Sequence, residues 1–185
     1  MADSLAGRLL VATPVLTEGV FARTVVLLLQ HEPDGGALGV VVNRPSGTAV
    51  GQVLPGWQEL TAEPDVVFEG GPVQTTAAIC LGRVVPGAPA TSSYAVVPQL
   101  PLLATVDLDA DPGAALAEVR VFAGYAGWAA GQLESEVAAD GWWVLDALPG
   151  DAFTAAPELL WSQVLRRQGL PLALVASYPT DPTLN

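Results

Sequence analysis

The chain has 185 residues, 19 of them acidic and 7 basic, with a formal net charge of −12, and every basic residue is an arginine. That length builds one sizeable core rather than two comfortable domains, so residues 1–185 read as a single domain; an apolar share of 51% excludes long disorder. So anionic a surface repels phosphate backbones, and direct nucleic-acid binding is disfavoured, since Arg166 and Arg167 are the one adjacent basic pair.

A lone cysteine, Cys80, excludes an internal disulfide framework and fits a reducing compartment. The first residues carry an acid and no basic leader, and the apolar runs 9–16 and 25–29 are far shorter than the ~20 residues of a membrane helix. The expectation is a cytoplasmic protein with no membrane attachment.

In chain order, residues 9–13 read as a short strand stopped by Pro14. Residues 24–29 form an unbroken apolar run of strand length, the pattern of a strand buried on both faces. Strong turn chemistry at 32–36 leads back into a second strand at 37–43, so the pair reads as a central antiparallel hairpin. Pro45 ends that strand, because proline cannot donate to a ladder. A short helix is expected within 48–60, broken at Pro55 and Gly56, then strands at 66–69, 77–85 and 94–97. Pro112 and the residues after it read as one or two helical turns with proline at the first position. Residues 142–145 form a strand, and 157–168 form an amphipathic helix that Gly169 stops. Strands dominate without regular alternation with helices, which is an α+β pattern with much antiparallel pairing.

Residues 119–136 hold the most information. Val119, Val121 and Ala123 alternate with Arg120 and Phe122 as a strand does, and Gly124 to Gly127 break the period. From Trp128 the spacing reads as helical, with Trp128, Gln132 and Glu136 on one row. A strand, a glycine turn and a helix of this kind make a rim for a small pocket.

Catalytic and metal motifs are scarce. The one histidine, His31, precedes a turn, and Cys80 sits mid-strand, where thiols are commonly inert core residues. Neither a nucleophile elbow nor a phosphate-binding loop occurs. Asp107, Asp109 and Asp111 alternate like half a calcium loop but lack its glycine and closing glutamate, so no metal and no cofactor is assigned. Arg23, Arg44 and Arg120 stand at strand ends, and Gly70 and Gly71 offer backbone N–H groups for an anion nest. The candidate ligand-binding set is Arg23, Asn43, Arg44, Gly70, Gly71, Tyr125, Trp128 and Gln132, with arginine holding a small anion and the aromatics forming an apolar wall. No residue is assigned as catalytic. Two alternatives remain open: a transcriptional regulator acting on DNA, and a hydrolase or transferase with Glu134 or Glu136 as base.

Four blocks occur in order: FARTVVLLLQH at 21–31, GALGVVVNRP at 36–45, FEGGPV at 68–73 and FAGYAGWAAGQLE at 122–134. Together with Trp161 and the closing Leu184 and Asn185, they resemble the YqgE/AlgH family of small bacterial proteins. The resemblance implies a single α+β domain with a bent, partly barrel-like, mostly antiparallel sheet and a few flanking helices. It implies little about activity, since the family is largely uncharacterised and some members are described as transcriptional regulators. The expectation that follows is a non-enzymatic binder of a small anion or a protein partner, of unspecified oligomeric state.

Overall fold

The structure, a computed structural model, describes residues 4–16, 19–111 and 113–179. Ten strands form one curled sheet, in the order β10-β1-β2-β3-β9-β6-β8-β7, with β4 and β5 branching from it. In sequence these are β1 (Arg8–Ala12), β2 (Val25–Glu32), β3 (Gly36–Val41), β4 (Pro45–Ala49), β5 (Val66–Glu69), β6 (Val73–Val84), β7 (Tyr94–Val97), β8 (Leu100–Val106), β9 (Leu116–Trp128) and β10 (Trp142–Asp146). Among the described residues four short α-helices flank them: α1 (Val50–Val53), α2 (Gln132–Ala138), α3 (Leu160–Arg166) and α4 (Leu172–Val175). The architecture is α+β in one domain, with the sheet bent into a half-barrel. Among the described residues, no helix is long and apolar enough to cross a membrane.

The hairpin of β2 and β3 lies where the apolar run places it. Residues 25–29 are all buried, because α3 covers one face of these strands and α2 the other. On the first face Leu9, Val11, Leu27 and Val40 pack against Trp161, Val164 and Leu165, and the Trp161 indole donates to the Ala12 carbonyl at 2.9 Å. On the second, Leu10, Val26 and Leu28 meet Trp128, Leu133 and Trp142. A third cluster around Val50, Val67, Cys80, Val119 and Val121 fills the bend of the other half of the sheet.

The long strand β9 joins the two halves. It pairs antiparallel with β6 along most of its length, antiparallel with β3 at residues 126–128, and parallel with β5 at Phe122 and Ala123. The glycines at 124 and 127 therefore do not end the strand, contrary to the reading of a turn there. Gly124 has φ +71, yet the ladder runs past it to Trp128, and α2 starts only at Gln132. The break in period reflects a distortion of the partner strand rather than a change of element.

Two further differences concern edges. Pro45 opens β4, which pairs only with β5, so its missing N–H faces no partner. Strand β8, Leu100 to Val106, carries Pro101 at its second position and lacks both strict alternation and a β-branched run, so its residue pattern does not mark a strand. The amphipathic segment 157–168 is a 3-10 turn at Pro157–Leu159 followed by α3, and Gly169, at φ +75, ends it. The 3-10 turn Gly113–Ala115 stands where helical turns were expected; Pro112 itself lies outside the described residues, as do Leu184 and Asn185.

Candidate functional site

A trough of about 890 Å³ lies on the face of the sheet where β5 and β9 run side by side. Parallel pairing sets Glu69 beside Ala123 and Phe68 beside Phe122. Side chains alternate along each strand, so Val67 and Glu69 share the trough face with Val121 and Ala123. Both side walls are places where the ladder loses register. In β4, Pro45 opposes Phe68 and Ala49 opposes Val66, which pushes residues 46–48 outward. In β6, Val73 opposes Tyr125 and Ala78 opposes Ala123, which leaves residues 74–77 without partners in β9. Bulges of this kind re-aim side chains at functional sites. Here they bring Ser46 and Thr48 on one wall, and Thr75 and Thr76 on the other, to the same trough.

Gly124 makes the β6 bulge possible: a Cβ there would lie 2.5 Å from the Gly71 carbonyl oxygen and 3.2 Å from the Thr75 Cα. Val20 and Val53, 64% and 52% exposed, stand at the lips. Leu54, half-buried, adds to the apolar lining beside Val53.

The cation of the trough is Arg44. One guanidinium nitrogen donates to the Ala22 carbonyl, and the remaining donors make no hydrogen bond to a described residue. Partial burial pushes its pKa below the usual arginine value, with Glu69 opposing that shift. The group stays protonated at neutral pH, and its incomplete solvation raises its demand for an anion.

The eight expected binding residues do not line a single hollow. Arg44 and Gly71 line the trough. Gly70 lies beside it, but its N–H donates to the Ala123 carbonyl at 2.9 Å, so that donor is spent on the fold. Asn43 is buried and clamps the start of β2: its side-chain oxygen accepts from Val25 N–H and its amide donates to the Arg23 carbonyl, both at 2.9 Å. Arg23 stacks over the Trp161 ring at 4.5 Å and donates to the carbonyls of Tyr178 and Pro179. Tyr125 packs against the main core.

Trp128 lies on a separate, smaller hollow of about 490 Å³ with His31. Gln132 bonds locally, accepting from Ala129 N–H and donating to Glu136 at 2.9 Å. The expected row of Trp128, Gln132 and Glu136 is real as a hydrogen-bonded group, although Trp128 sits on the strand. The trough residues that sequence reasoning passed over are Glu69, Ser46, Thr48, Thr75 and Thr76. Their only signal was local: Glu69 precedes the double glycine, and Thr75 and Thr76 interrupt an apolar stretch.

Glu134 and Glu136 are both engaged by neighbouring side chains. One oxygen of Glu136 accepts the indole N–H groups of Trp128 and Trp142, and the other accepts the Gln132 amide. Glu134 accepts from His31 Nε2 at 2.8 Å, and its carboxyl is held below the usual range by its own backbone N–H and then by His31. A general base for neutral pH needs the opposite shift. Both His31 nitrogens are engaged, since Nδ1 accepts from Leu5 N–H at 3.0 Å. Burial pushes the Cys80 thiol up to about 12, which leaves it a poor nucleophile. No cluster of metal-ligating side chains occurs among the described residues.

The chain is thus a half-barrel α+β domain with an arginine-lined trough between two strand bulges. The AlgH-like family model, DUF179, matches residues 9–173, and the chain belongs to that family. It is 48% identical to a UPF0301 protein of Streptomyces avermitilis over 99% of this chain and 96% of that one. It is 50% identical to a UPF0301 protein of Mycobacteroides abscessus over 97% and 88% of the two chains. Among solved structures, protein DIP2367 of Corynebacterium diphtheriae superposes with a TM-score of 0.86 at 32% identity, over 96% of this chain and 94% of that one. The solution structure of AlgH from Pseudomonas aeruginosa gives 0.70 at 31% identity, over 97% and 96%.

Proposed function

We propose that this chain is a cytoplasmic, non-enzymatic binding protein that takes a small anionic ligand in the trough, with Arg44 as its anchor. One observation carries the reading. Arg44 is a partly desolvated cation with no carboxylate paired to it among the described residues, facing an open apolar-floored hollow lined by Ser46, Thr48, Thr75 and Thr76. Other arginines are committed elsewhere: Arg8 to Asp146, Arg83 to Glu118, Arg167 to Asp151, and Arg120 to backbone carbonyls in the core. So dispersed a set of cations offers no basic stripe for DNA, which weighs against a regulator that contacts it directly.

Titration with acetate, benzoate and inorganic phosphate, followed by backbone amide shifts, tests the reading. Saturable shifts should cluster at Arg44, Gly71 and residues 75–77, and should vanish in Arg44→Gln. Shifts spread over the surface, or unaltered by the substitution, would overturn it.

A further inference from the structure

The trough holds two opposite charges that attract one another without closing into an ion pair. Arg44 and Glu69 both line it, and Glu69 N–H donates to the Arg44 carbonyl at 2.8 Å, so the two residues are fixed side by side by their backbones. Among the described residues their side chains nevertheless form no ion pair: Arg44 turns to the Ala22 carbonyl, and the Glu69 carboxylate accepts from no described side chain. Val67 and Val121 line the same trough, as does the exposed Val53. A simple anion would meet Arg44 but bind less tightly for having Glu69 beside it. A ligand with a carboxylate, an adjacent ammonium and an apolar branch would satisfy both charges and cover the floor.

We infer that the trough binds a zwitterion with an apolar side chain, the chemistry of a free hydrophobic α-amino acid. The carboxylate lies on Arg44, the ammonium on Glu69, and the aliphatic branch over Val67, Val121 and Val53. Thr75 and Thr76 on the β6 bulge supply hydroxyls to the outer carboxylate oxygen. The inference rests on the reading that Arg44 holds an anion, and it adds that Glu69 selects among anions.

Three isosteric probes separate the two claims: L-leucine, 4-methylpentanoate, which lacks the ammonium, and 3-methylbutylamine, which lacks the carboxylate. Calorimetry on the full chain should show leucine binding at least tenfold more tightly than either. In Glu69→Gln leucine should fall to the level of 4-methylpentanoate, while 4-methylpentanoate itself holds or improves. In Arg44→Gln both should be lost. The Glu69 side chain bonds to no described side chain, so Glu69→Gln should melt as the parent does. If 4-methylpentanoate or phosphate binds as well as leucine, or Glu69→Gln treats all probes alike, the zwitterion inference fails and the anion site stands. If no carboxylate and no phosphate binds, both fail.

Discussion

Trp128 and Trp142, from different strands, donate their indole N–H groups to the same oxygen of Glu136, each at 2.9 Å. The two rings lie edge to face with centroids 6.1 Å apart, and Phe21 packs against both. One carboxylate on α2 thus ties the end of β9 to the start of β10. Hydrogen bonds to a charged group contribute about 1.5–3 kcal/mol each, and a buried indole left without an acceptor carries a desolvation penalty. Glu136→Ala should therefore destabilise the fold by about 2–4 kcal/mol. Glu136→Gln keeps one acceptor oxygen in place and should recover roughly half. Urea unfolding followed by tryptophan fluorescence measures both, and equal losses in the two variants would contradict this account.

Arg120 is fully buried, with no ion pair to a described carboxylate. Its guanidinium reaches the carbonyls of Ala62, Glu63, Ala152 and Thr154, and lies 4.2 Å from the centroid of the Phe68 ring. Desolvation lowers its pKa to about 10, so it remains charged at neutral pH. It thereby ties β9 to the chain before β5 and to the 3-10 turn Pro149–Phe153. Arg120→Ala strands several carbonyls at once and should cost about 3–5 kcal/mol. Arg120→Lys keeps the charge but lacks the planar fork, and should still cost about 2 kcal/mol. Chemical denaturation of both variants checks the order; a lysine variant as stable as the parent would show that charge alone suffices.

Much of this fold is legible from residue patterns, because the hairpin of β2 and β3 combines an apolar run with strong turn residues. The trough is less so. Its walls exist because β4 and β6 fall out of register with β5 and β9, and register belongs to pairs of strands, not to either string alone. Arg44 and Gly71 were visible as an arginine before a proline and a double glycine. Nothing local revealed that Asn43 faces the core, that Arg23 turns to the chain end, or that Glu69 shares a face with Val67 and Val121. The glycines at 124 and 127 misled because a break in period marks either a turn or a neighbour's bulge, and only pairing distinguishes them.

His31 links the N-terminal segment to α2. Its Nδ1 accepts from Leu5 N–H, which places the ring proton on Nε2, toward Glu134. Glu134 is an acid whose folded pKa is depressed, so its contribution is fully present above the ordinary carboxylate pKa and is lost as pH falls through the folded value. With Glu134 partly exposed, the effect is small and screened by salt. The stability gap between the parent and Glu134→Gln should be widest near about pH 7 and should close below about pH 4. Urea midpoints across that range test the sign, and long-range nitrogen–proton spectra should show the Nε2–H tautomer. A gap that widens on acidification would contradict this assignment.

The double glycine before β6 is a crossing point of the backbone. A Cβ at Gly70 would lie 2.3 Å from the Gly124 carbonyl oxygen, and one at Gly71 would lie 2.2 Å from the Tyr125 carbonyl carbon. These neighbours belong to the β9 backbone, which is held by pairing on both edges and has no room to shift. Gly47, on the outward bulge of β4, has no atom within 4 Å of the same construction. Gly70→Ala and Gly71→Ala should therefore each destabilise by about 3 kcal/mol or more, through overpacking against fixed main chain. Gly47→Ala should be neutral or stabilising by a few tenths of a kcal/mol, because it restricts only the unfolded chain. Thermal unfolding of the three variants decides the matter. A Gly70→Ala protein as stable as Gly47→Ala would mean that β6 does not cross β9 where the trough requires it to.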